Sequence, residues 1–164
     1  MDQRMSKDKY YLNIADAVLD RSTCLRRKYG AIIVKNDEII STGYNGAPRG
    51  RKNCVDMGFC TREAMQVPRG QRYELCRSVH AEANAIISAA RRDMIGGTLY
   101  LVGRSAADGE LLHDTTSCAM CRRMIINSGI TRVVNRIGDD GIEIIDVQNW
   151  IVNDESIQPK AEAE

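Results

Sequence analysis

Two short stretches of the chain bring metal-binding residue types together at chemically meaningful spacings. In Cys76 to Arg92, CRSVHAEANAIISAARR, His80 and Glu82 lie two positions apart; in Ser117-Cys118-Ala119-Met120-Cys121 two cysteines bracket two residues. One imidazole and two thiolates are three protein ligands, the number that leaves a zinc ion an open fourth position for water, whereas a structural zinc site is closed by four. Zinc held in this way lowers the pKa of its water to about 7, so hydroxide is available at neutral pH. Glu82 need not bind the metal. It can take the proton from the zinc-bound water and return protons to a substrate. A purely structural site gives no reason for that carboxylate, and tightly bound zinc would argue against the third option, thiol redox chemistry at Cys118 and Cys121.

The flanking sequence places both stretches at helix starts. Ala83, Ile86, Ile87 and Ala90 recur at helical spacing until Gly96-Gly97, so the spacing predicts a helix with His80 and Glu82 in its first turn and Arg91 on its outer part. A second helix is predicted from Cys118 to Asn127, closed by Ser128-Gly129. The positive N-terminal ends of both helices favour thiolate and hydroxide. Elsewhere Tyr11, Ile14, Ala15, Val18 and Leu19 form an apolar stripe that predicts a helix over 6–20. Strands are expected at Ala31–Val34 and Ile39–Thr42, covered on both faces, around a turn at Asn36-Asp37. Further strands are expected at Thr98–Val102, Ile130–Asn135 and Ile142–Ile145, and a short helix at 146–152 carries Trp150. Arg21–Gly30, Gly43–Gly50, Cys54–Arg72 and Gly103–Thr116 read as loops. The order α-β-β-α-β-α-β-β implies an α/β domain, a mixed sheet with helices packed on it.

The bulk numbers bound the partners. A chain of 164 residues with 43% hydrophobic and 27% charged residues is one ordinary globular domain, and its net charge of +1 argues against a nucleic-acid partner. The N-terminus lacks the apolar core of a signal peptide and no stretch is long enough for a membrane span, so a cytoplasmic protein is expected. In that compartment six cysteines read as metal ligands or free thiols. Cys24, Cys54, Cys60 and Cys76 are on this reading either a four-cysteine metal site stapling the long loop or four independent reduced thiols.

H-x-E followed by C-x-x-C is the signature of zinc-dependent nucleobase deaminases. The chain resembles the cytidine/deoxycytidylate deaminase superfamily, and most closely its deoxycytidylate branch. The resemblance runs from about Arg21 to Val134 on RSTC at 21–24, GAIIV at 30–34, STGYNGAP at 41–48, Asn53-Cys54, CRSVHAEANAI at 76–86, CAMC at 118–121 and SGITRVV at 128–134. It implies a three-layer α/β/α fold with a mixed five-stranded sheet over 1–153, residues 154–164 being a flexible tail. It implies hydrolysis of dCMP to dUMP and ammonia, with Glu82 as proton shuttle and His80, Cys118 and Cys121 as zinc ligands. The alternatives are deamination of another cytosine nucleoside or nucleotide, and a non-catalytic zinc-stabilised binding module.

By the same resemblance Asn45 meets the deoxyribose with Thr42 near it, Arg26 meets the 5′-phosphate, and backbone near Ala81 holds the base. Arg27, Lys28 and Arg49 are weaker phosphate candidates. Cys24, Cys54 and Cys76, with Cys60 replacing a histidine, match a second, structural zinc. A homo-oligomer, favoured as a hexamer, and control by dCTP (with Mg2+) and dTTP are also implied, with Arg91 an effector or interface contact. The chain departs from the family pattern twice. Ser117 replaces the proline before the first cysteine, where it is expected to serve as N-cap, and the Gly103–Thr116 loop is long and carries His113.

Overall fold

The computed structural model describes residues 3–157. The first helix, α1 (Lys7–Leu19), is capped by Ser6, whose hydroxyl accepts the Lys9 N–H at 3.3 Å, and it buries Tyr11, Leu12, Ala15 and Leu19. Strands β1 (Arg27–Lys35) and β2 (Glu38–Tyr44) form a hairpin. Its two turn residues, Asn36 and Asp37, have φ of 51° and 62°, the left-handed pair that a tight two-residue turn between twisted strands requires. The irregular segment that follows holds only one-turn helices, α2 (Cys54–Met57) and α3 (Thr61–Ala64), and a 3-10 turn at Tyr73–Leu75. Then come α4 (Ala81–Ile87), α5 (Arg91–Met94), β3 (Thr98–Ser105), α6 (Ala119–Ser128), β4 (Arg132–Ile137), β5 (Gly141–Asp146) and α7 (Gln148–Val152).

The sheet order is β2-β1-β3-β4-β5, with β3 and β4 parallel and every other pair antiparallel. Alternate residues of each central strand feed two cores, which is why β1 and β3 read as continuous apolar runs. On one face Ile32, Val34, Tyr100, Val102 and Val134 pack under α1. On the other Ala31, Ile33, Leu99, Leu101 and Val133 meet Ala81 and Ala85 of α4, Met94 of α5 and Ile125 of α6. The result is the expected three-layer α/β/α domain with a mixed five-stranded sheet.

Four local expectations need correction. β1 begins at Arg27, so Arg27 and Lys28 are strand residues whose side chains leave opposite faces. β2 is an edge strand that buries only Ser41 and Gly43, not a strand covered on both faces. The helix after His80 stops at Ile87, which is 69% exposed, and Arg91 opens the separate α5. Tertiary bonds redirect the chain there: Arg91 Nε donates to the Asn127 carbonyl at 2.8 Å and the Gly96 N–H to the Gly129 carbonyl at 2.8 Å. Finally, the expected 103–116 loop opens as strand. Gly103–Ser105 end β3, and the chain folds back on them through Ser105 N–H to Glu110 O and Leu112 N–H to Gly103 O, both 2.9 Å. Of the expected C-terminal tail, Glu155–Ile157 form an exposed 3-10 turn, and 158–164 lie outside the described residues.

Candidate active site

His80 is the N-cap of α4 and Cys118 the N-cap of α6, so both stretches singled out above sit at helix starts on the same side of the sheet. Ser117 is not the cap. Its carbonyl takes a hydrogen bond from Arg122 Nε at 3.0 Å, and its buried hydroxyl lies toward the Glu82 carboxyl, whose pKa it helps to lower against the larger effect of burial. His80 Nδ1 lies 3.4 Å from the Sγ of Cys118 and 3.4 Å from that of Cys121. Tetrahedral zinc with its usual Zn–S and Zn–N bonds sets such pairs about 3.6 Å apart. Among the described residues these three alone have ligand atoms all within 4.8 Å of one another. One nitrogen and two sulfurs at this spacing fit zinc.

The electrostatics agree with a metal site. In the metal-free protein the Cys121 thiol and then the His80 ring hold Cys118 down to about 4, against the opposing effect of burial. Cys121 is pushed up, first by Cys118 and then by burial, so the two sulfurs keep one proton between them. Cys118 and then Cys76 push His80 up to about 10. A cation that replaces those protons meets ligands already gathered around one centre. Glu82, in the first turn of α4 and only 5% exposed, has its carboxyl raised above the ordinary range by burial.

A close backbone approach positions α4. Gly43 of β2 faces the helix so tightly that a Cβ there would stand 2.3 Å from the Ala81 carbonyl oxygen and 2.4 Å from the Ala85 nitrogen. The neighbouring Ser41 hydroxyl donates to the Ala85 carbonyl at 2.7 Å, and Asn84 Nδ2 donates to the Tyr44 carbonyl at 2.7 Å. These contacts register the helix that carries Glu82 against the edge strand.

One cavity opens over the cluster, lined by His80, Ala81, Glu82 and Cys118 at its base and by Tyr29, Asn45, Tyr73 and Thr116 on its walls. Asn45 is 7% exposed and heavily used: its Oδ1 accepts from Ser22 Oγ at 2.6 Å and the Tyr29 N–H at 2.8 Å, and its Nδ2 donates to the Arg27 carbonyl at 2.8 Å. One Nδ2 hydrogen remains for a ligand. Arg26 is on the cavity wall, paired with Glu63 at 2.8 Å. Arg27 also lines the cavity, whereas Lys28 lines a separate groove beside α1. Thr42 is exposed on β2, Arg49 is exposed, and neither is on the cavity wall; His113 is likewise exposed and outside it. Arg62, Arg69, Tyr73 and Asp114 were not legible as site residues. The first three come from the irregular segment, and Asp114 from the folded-back arm holds Arg27 and Arg69 at 3.2 and 2.7 Å.

Cys24, Cys60 and Cys76 line the same cavity, while Cys54, the first residue of α2, is buried beside it. The Val55 N–H donates to the Thr23 carbonyl at 3.3 Å, which ties the two segments. Burial, then Cys24, Cys76 and Cys60, raises the Cys54 thiol. No three of these four sulfurs meet the 4.8 Å spacing found at His80, Cys118 and Cys121.

Residues 5–136 match the family model of the cytidine and deoxycytidylate deaminase zinc-binding region. The chain belongs to this family. It is 40% identical over 132 residues to a deoxycytidylate deaminase of Mycobacterium phage D29, an alignment covering 77% of this chain and 91% of that protein. It is 36% identical over 131 residues to a deoxycytidylate deaminase of Schizosaccharomyces pombe, covering 80% of this chain but only 37% of the longer yeast enzyme. The fold superimposes with a TM-score of 0.56 on the crystal structure of dCMP deaminase from the cyanophage S-TIM5 in complex with dCMP and dUMP, at 25% identity over 82% of this chain and 85% of that one. The protein is therefore a zinc-binding deaminase of the cytidine and deoxycytidylate class, and His80, Cys118 and Cys121 are its candidate zinc site. Among the described residues no helix is long and apolar enough to cross a membrane.

Proposed function

We propose that this chain hydrolyses dCMP to dUMP and ammonia, with His80, Cys118 and Cys121 as the zinc ligands and Glu82 as the proton shuttle. The observation that carries this reading is a buried carboxylate beside the zinc cluster, at the base of a cavity whose walls bear the guanidinium groups of Arg26, Arg27, Arg62 and Arg69. Zinc, when bound, supplies Lewis acidity that makes water nucleophilic at neutral pH. Glu82 accepts a proton from water and delivers it to ring N3 as oxygen adds to C4. It then moves a second proton to the exocyclic amine, the C4–N bond breaks, and ammonia leaves. The place of Glu82 in the first turn of α4, buried beside the ligand cluster, lets one carboxylate serve both transfers.

Asn45, with its remaining N–H, meets the sugar, and arginines on the cavity wall meet the phosphate. The Ala81 backbone holds the base. Cys24, Cys54, Cys60 and Cys76 hold a second, structural zinc that draws the irregular segment onto the site; the cavity wall shared by Cys24, Cys60 and Cys76, the nearness of Cys54 to all three and the Thr23–Val55 bond support this. The same reading includes a cytoplasmic enzyme, in keeping with six free thiols, assembly as a hexamer, and a response to dCTP (with Mg2+) and dTTP.

The experiment is ammonia release from dCMP, CMP, deoxycytidine and cytidine, by wild type and Glu82→Gln, with and without dCTP. Activity greatest on dCMP, reduced by about 10²-fold to 10⁴-fold in the zinc-loaded variant, is expected. Preference for a nucleoside, or a variant that keeps its turnover, would overturn the assignment.

A further inference from the structure

Of the four guanidinium groups on the cavity, three are already met by carboxylates: Arg26 by Glu63 at 2.8 Å, and Arg27 and Arg69 by Asp114 at 3.2 and 2.7 Å. Those side chains are 31%, 31% and 63% exposed, so water also solvates them. Arg62 is different. It is 6% exposed and forms no direct ion pair among the described residues; Glu74, whose carboxylate is paired with Arg72 at 2.9 Å, feels its charge only at longer range. Its Nη2 donates to the Pro68 and Gln71 carbonyls at 3.4 and 2.6 Å, its Nε is buried without a partner, and its guanidinium lies 4.6 Å over the Tyr73 ring.

Carbonyl dipoles and a π-face offset only part of a full charge taken out of water. The remaining terminal nitrogen, Nη1, makes no hydrogen bond among the described residues, and the side chain borders the cavity. Tyr73 stands edge-on to His80, ring centres 5.3 Å apart, so a single ring separates this buried cation from the zinc cluster.

We propose that Arg62, rather than Arg26, anchors the 5′-phosphate of the substrate, an assignment that rests on the nucleotide reading above. The phosphate dianion supplies the direct ion-pair partner that Arg62 lacks among the described residues. The carbonyls of Pro68 and Gln71 and the Tyr73 ring fix the fork in place before substrate arrives, so little ordering is left for the binding step. Arg26 is less suited, since phosphate must first displace Glu63.

The test compares kcat/KM for dCMP and for deoxycytidine in wild type, Arg62→Gln, Arg62→Lys and Arg26→Gln, with zinc content and melting temperature recorded for each. Arg62→Gln is expected to cut the preference for dCMP about tenfold to a hundredfold, through KM, as befits loss of a charged hydrogen bond. Arg62→Lys should cut it severalfold, because an ammonium keeps the charge and loses the fork; Arg26→Gln should cost less than Arg62→Gln. Inorganic phosphate should inhibit deoxycytidine turnover less in Arg62→Lys than in wild type, a readout that survives if the Gln variant fails to fold. Equal losses on both substrates would make Arg62 a support for its loop and overturn the proposal. So would an unaltered preference in Arg62→Lys. A wild type that shows no preference for dCMP would overturn the nucleotide reading as well.

Discussion

Replacing Gly43 by alanine puts a methyl group between the edge strand and the helix that carries Glu82. The ideal Cβ would lie 2.3 Å from the Ala81 oxygen, 2.4 Å from the Ala85 nitrogen and 3.0 Å from the Asn84 carbonyl carbon. All three are backbone atoms of α4, so no side chain can rotate away. Ordinary contact near 3.4 Å is regained only if strand and helix separate by about 1 Å, a strain of the kind that overpacked cores charge at about 1–3 kcal/mol. That corresponds to a fall in melting temperature of about 2–12 °C. The displacement passes to His80 and Glu82, and a shift of about 1 Å in catalytic geometry costs about 10²-fold in rate.

Gly30 supplies the comparison. Its Cβ would stand 2.1 Å from the Ala15 oxygen and 2.7 Å from the Leu19 nitrogen of α1, an equal collision on the opposite face of the sheet, where no site residue sits. Calorimetry, zinc content and kcat for dCMP, measured well below the melting temperature, separate the two. Both alanine variants should lose stability, but only Gly43→Ala should lose kcat by about two orders of magnitude. Wild-type turnover in Gly43→Ala, or an equal loss in Gly30→Ala, would refute the claim that this contact registers the catalytic helix.

Zinc added to metal-free protein between about pH 5 and 9 should release about two protons at the catalytic site, one from His80, whose pKa is near 10, and one from Cys121, because Cys118 is already a thiolate. Affinity should therefore climb steeply with pH across that window; release of less than one proton in a pH-stat titration would contradict the metal-free charge state described above. The same titration should saturate at two zinc ions per chain, and at one in Cys54→Ser; a single equivalent in wild type would dispose of the second site. Asn45→Ala strands Ser22, the Tyr29 N–H and the Arg27 carbonyl together, and should lower unfolding free energy in urea by about 2–4 kcal/mol. A loss under about 0.5 kcal/mol would show that water replaces the amide.

The sequence by itself determined the features that depend on residues close in the chain. His80 and Glu82 fall within one helical turn, Cys118 and Cys121 within another, and the turn at Asn36-Asp37 is local backbone chemistry. The zinc triad and its carboxylate were legible for that reason, as was the layered α/β order, which follows from apolar period. Tertiary structure decided the rest. α4 ends at Ile87 although apolar spacing continues, because bonds from Arg91 and Gly96 to the end of α6 turn the chain. Gly43 reads as part of a flexible turn, yet it is where two backbones nearly touch. Most of all, an arginine has the same appearance in sequence whether water surrounds it or not. Arg26 and Arg62 could be told apart only when Glu63 came to one, while Pro68, Gln71 and Tyr73 closed around the other and left it with no direct ion pair among the described residues. Such differences are set by which distant segments meet, and no local spacing records them.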